Sequence, residues 1–165
     1  MRRRKAGEAL RKRPRPKTVL VICYGNICRS PVAAALLRRE LQPLDIDVRS
    51  AGIVGFNRPA PPEAVAAAER HDVHLAEHRS ALITADLARR ADVIVAMEAG
   101  QIRHMCERFG RRPSDVFLLG DFDPKPVESR AIRDPIDQDH AVFATVYERI
   151  ARCAREVAAI LRERS

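Results

Sequence analysis

The sequence predicts an α/β fold with a four-stranded, parallel, twisted sheet and helices on both faces, in three layers (α/β/α). Short β-branched apolar runs alternate along the chain with helical segments long enough to cross between parallel strands. The first run, residues 18–23, is continuously apolar, which is typical of a strand buried on both faces. Ligands of such open sheets bind beyond the carboxyl ends of the strands. A functional site is therefore expected directly after Cys23.

The other elements follow from the hydrophobic period and from the residues that flank each run. Strands are predicted at 45–50, 93–97 and 116–119. Helices are predicted at 31–42, 62–70, 84 or 85 to 90, 99–109 and 139–162. Pro31 suits a first helical turn, where a missing N–H is harmless. In the last helix, apolar residues recur every three or four positions and form one face.

The composition is that of a globular protein. The chain has 165 residues, of which 46% are hydrophobic and 32% charged. Its longest apolar runs are too short to span a membrane, so no integral membrane segment is expected. No apolar segment follows the basic start, which argues against a cleaved signal. Four cysteines without a dense framework predict a reduced, cytoplasmic protein.

The net charge of +8 is confined to the beginning of the chain. Residues 1–17 contain nine Lys or Arg and one Glu, whereas residues 18–165 contain equal numbers of basic and acidic side chains. We therefore predict a basic, disordered extension over 1–17, closed by Pro14 and Pro16 as a linker, and a single domain over 18–165. Such an extension has the charge to contact an anionic surface on RNA, lipid or an acidic partner.

The segment that follows the first strand has the features of a phosphate-binding loop. A tight turn between strand and helix directs backbone N–H groups inward, and the helix start adds further donors. Gly25 and Asn26 tolerate the left-handed backbone that such a turn requires. Arg29 presents a planar fork of donors to two phosphate oxygens. The loop is expected to hold phosphate or another oxyanion.

Cys23 stands at the base of this loop, where inward N–H groups favour the reactive thiolate. Ser30 is placed to donate a hydrogen bond to the sulfur. A nucleophile within a phosphate-binding loop predicts phosphoryl transfer through a cysteinyl-phosphate intermediate. A loop that binds phosphorylated ligands without hydrolysing them is the alternative, since binding needs the loop but hydrolysis also needs an acid.

The nine residues CYGNICRSP, from Cys23 to Pro31, resemble the signature loop of the low-molecular-weight protein tyrosine phosphatase family. Further segments match in order: RSAG at 49–52, EHRS at 77–80, ADVIVAM at 91–97, LLGDFDP at 118–124 and Asp134-Pro135. The resemblance implies a phosphotyrosine phosphatase I-like fold and hydrolysis of phosphorylated proteins, with phosphotyrosine as the expected substrate. It assigns Cys23 as nucleophile, Arg29 as phosphate clamp and Asp134 as general acid and base, without metal or cofactor. Residues 1–17 have no counterpart in the family.

The resemblance also implies roles for residues around the loop. Substrate-binding positions are Tyr24, Gly25, Asn26, Ile27, Cys28, Ser30, Phe56 and Ile136. Loop-supporting positions are Asn26, Ser30, Ser50 and His78. In this family the second loop cysteine, here Cys28, can form a protective disulfide with the nucleophile.

Three features of the sequence bear on the choice of substrate. Tyrosine-specific members carry aromatic residues after the Asp-Pro pair, where this chain has Ile136 and Asp137. Protein-arginine phosphatases share the loop but have a threonine at the position of Ile27. An arsenate reductase would need two further closely spaced cysteines, and only Cys106 lies in that region.

Two other patterns in the sequence allow a different assignment. Spacing alone does not choose between Asp134-Pro135 and Asp123-Pro124, and the resemblance favours Asp134. A zinc site built from Cys23, Cys28 and the histidines at 71, 74 and 78 has permitted spacings. It is excluded because a predicted strand and helix separate its two halves and Arg29 would place a cation beside the metal.

Overall fold

The computed structural model describes residues 2–163 and contains the expected sheet. Four parallel strands, β1 (Thr18–Cys23), β2 (Asp47–Gly52), β3 (Val93–Ala96) and β4 (Val116–Leu118), lie in the order β2-β1-β3-β4. The prediction of a four-stranded parallel sheet is confirmed. Strand β2 begins two residues later than predicted because its register with β1 pairs Thr18 with Asp47 and Cys23 with Gly52.

The helices are α1 (Arg2–Arg11), α2 (Arg29–Glu40), α3 (Pro62–Glu69), α4 (Ala85–Arg90), α5 (Ala99–Phe109) and α6 (His140–Arg162). Helix α2 starts before Pro31, so Arg29 and Ser30 belong to its first turn. Asp139 caps α6, since its carboxylate accepts the N–H of Val142 at 3.0 Å. None of the helices within residues 2–163 has the length and apolar character that a membrane span requires.

Alternation along β1 separates two apolar layers. Val19 and Val21 belong to the core shared with α2, α3 and α6. Leu20 and Ile22 belong to the core shared with α4 and α5. All four side chains are at most 1% exposed. The continuous apolar run of β1 therefore reflects burial on both faces of the sheet.

The strand order creates a crevice at the end of β1. From β1 the chain first moves to β2 on one side, and β3 then lies on the other side. A crevice opens where the strand order reverses in this way, beyond the carboxyl ends of the strands. Cys23 is the last residue of β1 and faces that position.

The basic extension differs from its prediction, because α1 is an ordered helix that packs against α6 and residues 119–122. Leu10 is only 2% exposed and belongs to the main core. Arg3 forms an ion pair with Glu156, and Arg11 forms one with Glu163 at 2.8 Å. The prediction of disorder was therefore wrong for Arg2–Arg11. The sequence did not reveal this helix because its acidic partners are more than 150 residues away along the chain. Residues 1, 164 and 165 lie outside the described part.

Helix α1 also lies beside the edge of the sheet. Strand β4 is last in the strand order, so it pairs with β3 on one side only. Lys5 and Ala9 of α1 and Val116 and Leu118 of β4 line one shallow cavity of about 410 Å³. The extension is thus the element next to this open edge.

The burial of Leu10 predicts that α1 contributes to stability. We expect Leu10→Ala to lower the free energy of unfolding by about 2–5 kcal/mol, because it removes buried methyl groups and leaves a cavity. Urea unfolding followed by circular dichroism measures this. Lys12→Ala, at an exposed position two residues away, serves as the control. Equal stability of the two variants would show that α1 does not pack on the domain.

Candidate active site

The loop between β1 and α2 holds the sulfur of Cys23 at the base of a cleft of about 150 Å³. Cys23 is only 2% exposed. The backbone N–H of Asn26 donates to its Sγ at 3.2 Å, and the Ser30 hydroxyl lies 3.0 Å from the same atom. The sulfur is therefore surrounded by hydrogen-bond donors on its inner side and open to the cleft on the other.

Asn26 organises the loop from within. It is fully buried and has a left-handed backbone with φ of 53°. Its side-chain amide donates to the hydroxyls of Ser30 at 2.8 Å and Ser50 at 3.0 Å, and its Oδ1 accepts the N–H of Ala81 at 2.9 Å. His78 Nε2 donates to its carbonyl oxygen at 2.7 Å. The structure thus brings the four predicted loop-supporting residues together.

Gly52 allows the loop to approach the end of β2. A Cβ atom at this position would lie 2.9 Å from both the Cβ and the backbone nitrogen of Asn26. That distance is shorter than a normal van der Waals contact, so a larger residue would displace Asn26. The glycine of the RSAG segment is therefore required by the close packing of β2 against the loop.

Arg29 is the largest buried polar residue of the site, with 1% exposure. Its Nη1 donates to the Ile132 carbonyl at 3.0 Å and lies 3.5 Å from Glu98 Oε1. Its Nη2 donates to Asp134 Oδ2 at 2.9 Å. Among the residues from 2 to 163, Arg29 Nε is the one buried side-chain nitrogen or oxygen without a hydrogen-bond partner.

The Asp134 segment is attached to the end of β3. The N–H of Ile132 donates to the Met97 carbonyl at 2.9 Å. Asp134 lines the cleft, and its Oδ1 accepts the N–H of Ile136 at 3.2 Å. The carboxylate that precedes Pro135 therefore lies beside the guanidinium of Arg29, on the same cleft as Cys23.

Asp123, the other aspartate that precedes a proline, is a buried residue with a structural role. It is 4% exposed and forms ion pairs with Arg149 at 2.9 Å and Arg152 at 2.8 Å. Burial opposes its ionisation, but hydrogen bonds from Arg152 and Arg149 outweigh this and hold the pKa of the carboxyl below its ordinary value. Asp123 fixes α6 to the preceding loop and does not line the cleft.

The walls of the cleft differ in part from the prediction. Tyr24, Ile27 and Ile136 line the cleft as expected, together with Gly25 and Cys28. Phe56, which was predicted to bind substrate, is 73% exposed and does not line the cleft. Arg58 takes that place, because hydrogen bonds between its backbone and Ser80 direct this segment along the rim.

Sequence reasoning missed three residues around the loop: Arg58, Glu98 and Tyr147. The Tyr147 hydroxyl is fully buried and donates to the Cys28 carbonyl at 2.8 Å, which fixes the loop to α6. A signal for it was present, since a tyrosine on the apolar face of the last helix needs a hydrogen-bond partner when buried. Arg58 and Glu98 follow no pattern that a single sequence reveals.

Cys28 lines the same cleft as Cys23 and is 3% exposed. Burial, reinforced by the negative charge of Asp134, raises the pKa of the Cys28 thiol to about 12. Cys28 is therefore a neutral thiol at neutral pH. Both cysteines are free, and a disulfide between them stays a prediction.

The histidines of the rejected zinc pattern lie in separate places. His74 contacts Glu69 at 3.0 Å, whereas His78 contacts the loop carbonyl of Asn26. Within the described residues, no group of three or more His, Cys, Asp or Glu side chains is arranged to hold a metal ion.

Comparison with known proteins agrees with this geometry. Residues 18–165 match the model of the low molecular weight phosphotyrosine protein phosphatase family. The chain is 37% identical over 144 residues to the low molecular weight protein-tyrosine-phosphatase Wzb of Salmonella typhi, covering 87% of this chain and 93% of the relative.

Solved structures give the same result. The tyrosine phosphatase Wzb of Escherichia coli K30, in complex with sulphate, is similar with a TM-score of 0.78 and 30% identity, over 87% of this chain and 97% of that one. The YwlE arginine phosphatase of Geobacillus stearothermophilus is similar with a TM-score of 0.79 and 27% identity, over 89% and 94%. The chain belongs to the low molecular weight phosphotyrosine protein phosphatase family.

Proposed function

We propose that the chain hydrolyses phosphotyrosine in proteins through a cysteinyl-phosphate, with Cys23 as nucleophile, Arg29 as phosphate clamp and Asp134 as general acid and base. The observation that carries the proposal is the arrangement of these three residues around one cleft. The unpartnered Nε of Arg29 supports it, because an oxyanion in the loop would satisfy this otherwise costly buried donor.

In the first step the thiolate of Cys23 attacks phosphorus, and a phosphorus–sulfur bond forms as the bond to the phenolic oxygen breaks. Inward N–H groups of the loop and Arg29 stabilise the charge on the equatorial oxygens. The departing oxygen takes the electron pair and accepts a proton from Asp134. In the second step Asp134 removes a proton from water, the water oxygen bonds to phosphorus, and the thiolate leaves.

The depth of the cleft favours a phosphate on a long, flat side chain. Cys23 is almost completely buried, whereas Tyr24 at the rim is 54% exposed. A phosphate must therefore be carried inward past Tyr24, Ile27 and Ile136, which offer apolar contact to an aromatic ring. Phosphotyrosine fits this requirement better than the shorter phosphoserine.

Phosphoarginine is the second candidate, since the arginine phosphatase YwlE is among the similar structures. Two residues of this chain disfavour it. Ile27 offers no hydrogen bond to a guanidinium group, and Arg58 places a positive charge on the cleft that repels one. The exposed Arg58 side chain also forms no ion pair with any residue in the described part of the chain.

The proposal predicts a preference that can be measured with two peptides. We expect kcat/KM for a phosphotyrosine peptide to exceed that for the matched phosphoarginine peptide by about 100-fold, because the guanidinium portion of phosphoarginine would meet the positive charge of Arg58 and would find no hydrogen-bond partner on Ile27. Initial rates of phosphate release measure both.

Two variants sharpen this comparison. Arg58→Gln and Ile27→Thr should each reduce the preference, while Arg103→Gln, on the exposed surface of α5, should leave it unchanged. A wild-type enzyme that prefers phosphoarginine would replace the tyrosine assignment with the second candidate.

We propose the cytoplasm as the compartment in which phosphorylated proteins meet this enzyme. All four cysteines are free thiols, which suits a reducing environment. The nucleophilic mechanism requires that environment as well, since an oxidised Cys23 would not attack phosphorus.

A further inference from the structure

The segment between α1 and β1 and the domain together form another cavity, away from the active site. The cavity has a volume of about 390 Å³, and five of the residues that line it are Arg13, Arg15, Arg89, Arg111 and Arg112. We call it the arginine pocket. It lies at the amino ends of the strands, where the chain enters β1, whereas the active site lies at their carboxyl ends.

The two acidic residues of the arginine pocket already accept hydrogen bonds from the protein. Asp115 is 4% exposed and accepts hydrogen bonds from Arg13 at 2.9 Å and Arg112 at 3.1 Å. Burial opposes its ionisation, but these hydrogen bonds outweigh it and hold the pKa of the carboxyl below its ordinary value. Asp92 accepts the backbone N–H groups of residues 17 and 18 at 2.8 and 3.0 Å. Both carboxylates are thus used to join the extension to the domain.

Three of the arginines have exposed side chains. Arg89 and Arg112 have side chains that are 72% and 76% exposed, and Arg89 also forms an ion pair with Asp86 at 2.6 Å. Arg15 is exposed and forms no ion pair within residues 2–163. Residues 18–165 contain equal numbers of basic and acidic side chains. The excess of positive charge in the arginine pocket therefore arises where the extension adds Arg13 and Arg15.

We propose that the arginine pocket binds a compact polyanion that carries linked phosphate groups. Guanidinium groups bind phosphate oxygens in pairs through parallel N–H donors, and several around one concavity match more than one phosphate. The volume is that of a small-molecule site. Inorganic tripolyphosphate and the triphosphate of a nucleotide share this chemistry.

Binding at this position fastens the extension to the domain. Arg13 and Arg15 lie in the segment that joins α1 to β1, while Arg89 and Arg112 belong to the domain. A ligand that contacts both parts binds only the folded state and therefore raises thermal stability. The active-site residues take no part in this contact.

Thermal unfolding with tripolyphosphate or with ATP, both without divalent cations, tests the proposal. We expect tripolyphosphate at 100 times its dissociation constant to raise the Tm of the full chain by about 5 °C. Arg15→Gln/Arg112→Gln should lose this rise, while Arg103→Gln/Arg155→Gln, which removes two exposed arginines outside the pocket, should keep it. Equal shifts by both probes identify the linked phosphates as the ligand, and a larger shift by ATP identifies the nucleotide.

Two results would overturn the proposal: no rise for the wild type, or the same rise in the pocket variant and the control. Inhibition of aryl phosphate hydrolysis distinguishes binding at the active site from binding in the arginine pocket. The inhibition constant for tripolyphosphate should be the same in the wild type, the pocket variant and the control variant. Asp115 keeps Arg13 and Arg111 as partners in the double variant. Arg15→Gln alone, which breaks no ion pair in the described chain, should still weaken binding about tenfold.

Discussion

Cys23→Ser is expected to reduce turnover of an aryl phosphate by about 10⁴-fold or more, because removal of a nucleophile eliminates the covalent route. The hydroxyl that replaces the thiol is a much weaker nucleophile at neutral pH. Binding of phenylphosphonate, which is not hydrolysed, should persist, since the Asn26 N–H and the Arg29 guanidinium remain in place. Steady-state rates and equilibrium titration measure the two properties.

The matched control is Cys106→Ser, because Cys106 is a free, half-buried cysteine on α5 outside the cleft. We expect its rate to stay within a factor of about two of the wild type. A Cys23→Ser enzyme that keeps the wild-type rate would exclude the cysteinyl-phosphate. An enzyme that also loses phosphonate binding would show that the loop itself had collapsed.

Asp134→Asn is expected to lower kcat on phenyl phosphate by about 10²- to 10³-fold, because a phenolate leaves poorly without a proton. The loss should be much smaller on p-nitrophenyl phosphate, whose leaving group is a weaker base. The neighbouring Asp137→Asn is the control, since Asp137 is exposed and its left-handed backbone, with φ of 59°, also suits asparagine.

The ratio of the two substrates is what identifies the acid. If Asp134 is the general acid, the decrease in kcat caused by Asp134→Asn depends on the leaving group. If Asp134 has only a structural role, kcat decreases equally for both substrates. Equal losses would therefore assign Asp134 to holding Arg29, which it contacts at 2.9 Å, and not to proton transfer.

Much of the site could be predicted from the sequence because its parts are local. Cys23, Asn26, Arg29 and Ser30 lie within one turn between a strand and a helix, so their order in the chain nearly fixes their arrangement in space. Asp134 is distant in sequence, and the resemblance to the family was needed to choose it over Asp123. The structure places Asp134 on the cleft and gives Asp123 two arginine partners.

The features that could not be predicted depend on contacts between distant segments. Arg58 reaches the cleft because Ser80 fixes its backbone, and no sequence pattern around residue 58 predicts that contact. Helix α1 has the composition of a solvated segment, yet it is ordered by burial of Leu10 and by acidic partners on α6 and directly after its end. The stability of α1 comes from tertiary packing. The pattern of apolar residues in so charged a segment does not predict that packing.

The position of α1 beside β4 has a consequence for how molecules of this protein behave in concentrated solution. An edge strand presents unpaired N–H and C=O groups that can template pairing with another chain, and a covering helix is one way proteins prevent it. Lys5 of α1 lines the same cavity as the three residues of β4, so this helix places a positive charge beside the open edge, where charge disfavours pairing with the strand of another molecule.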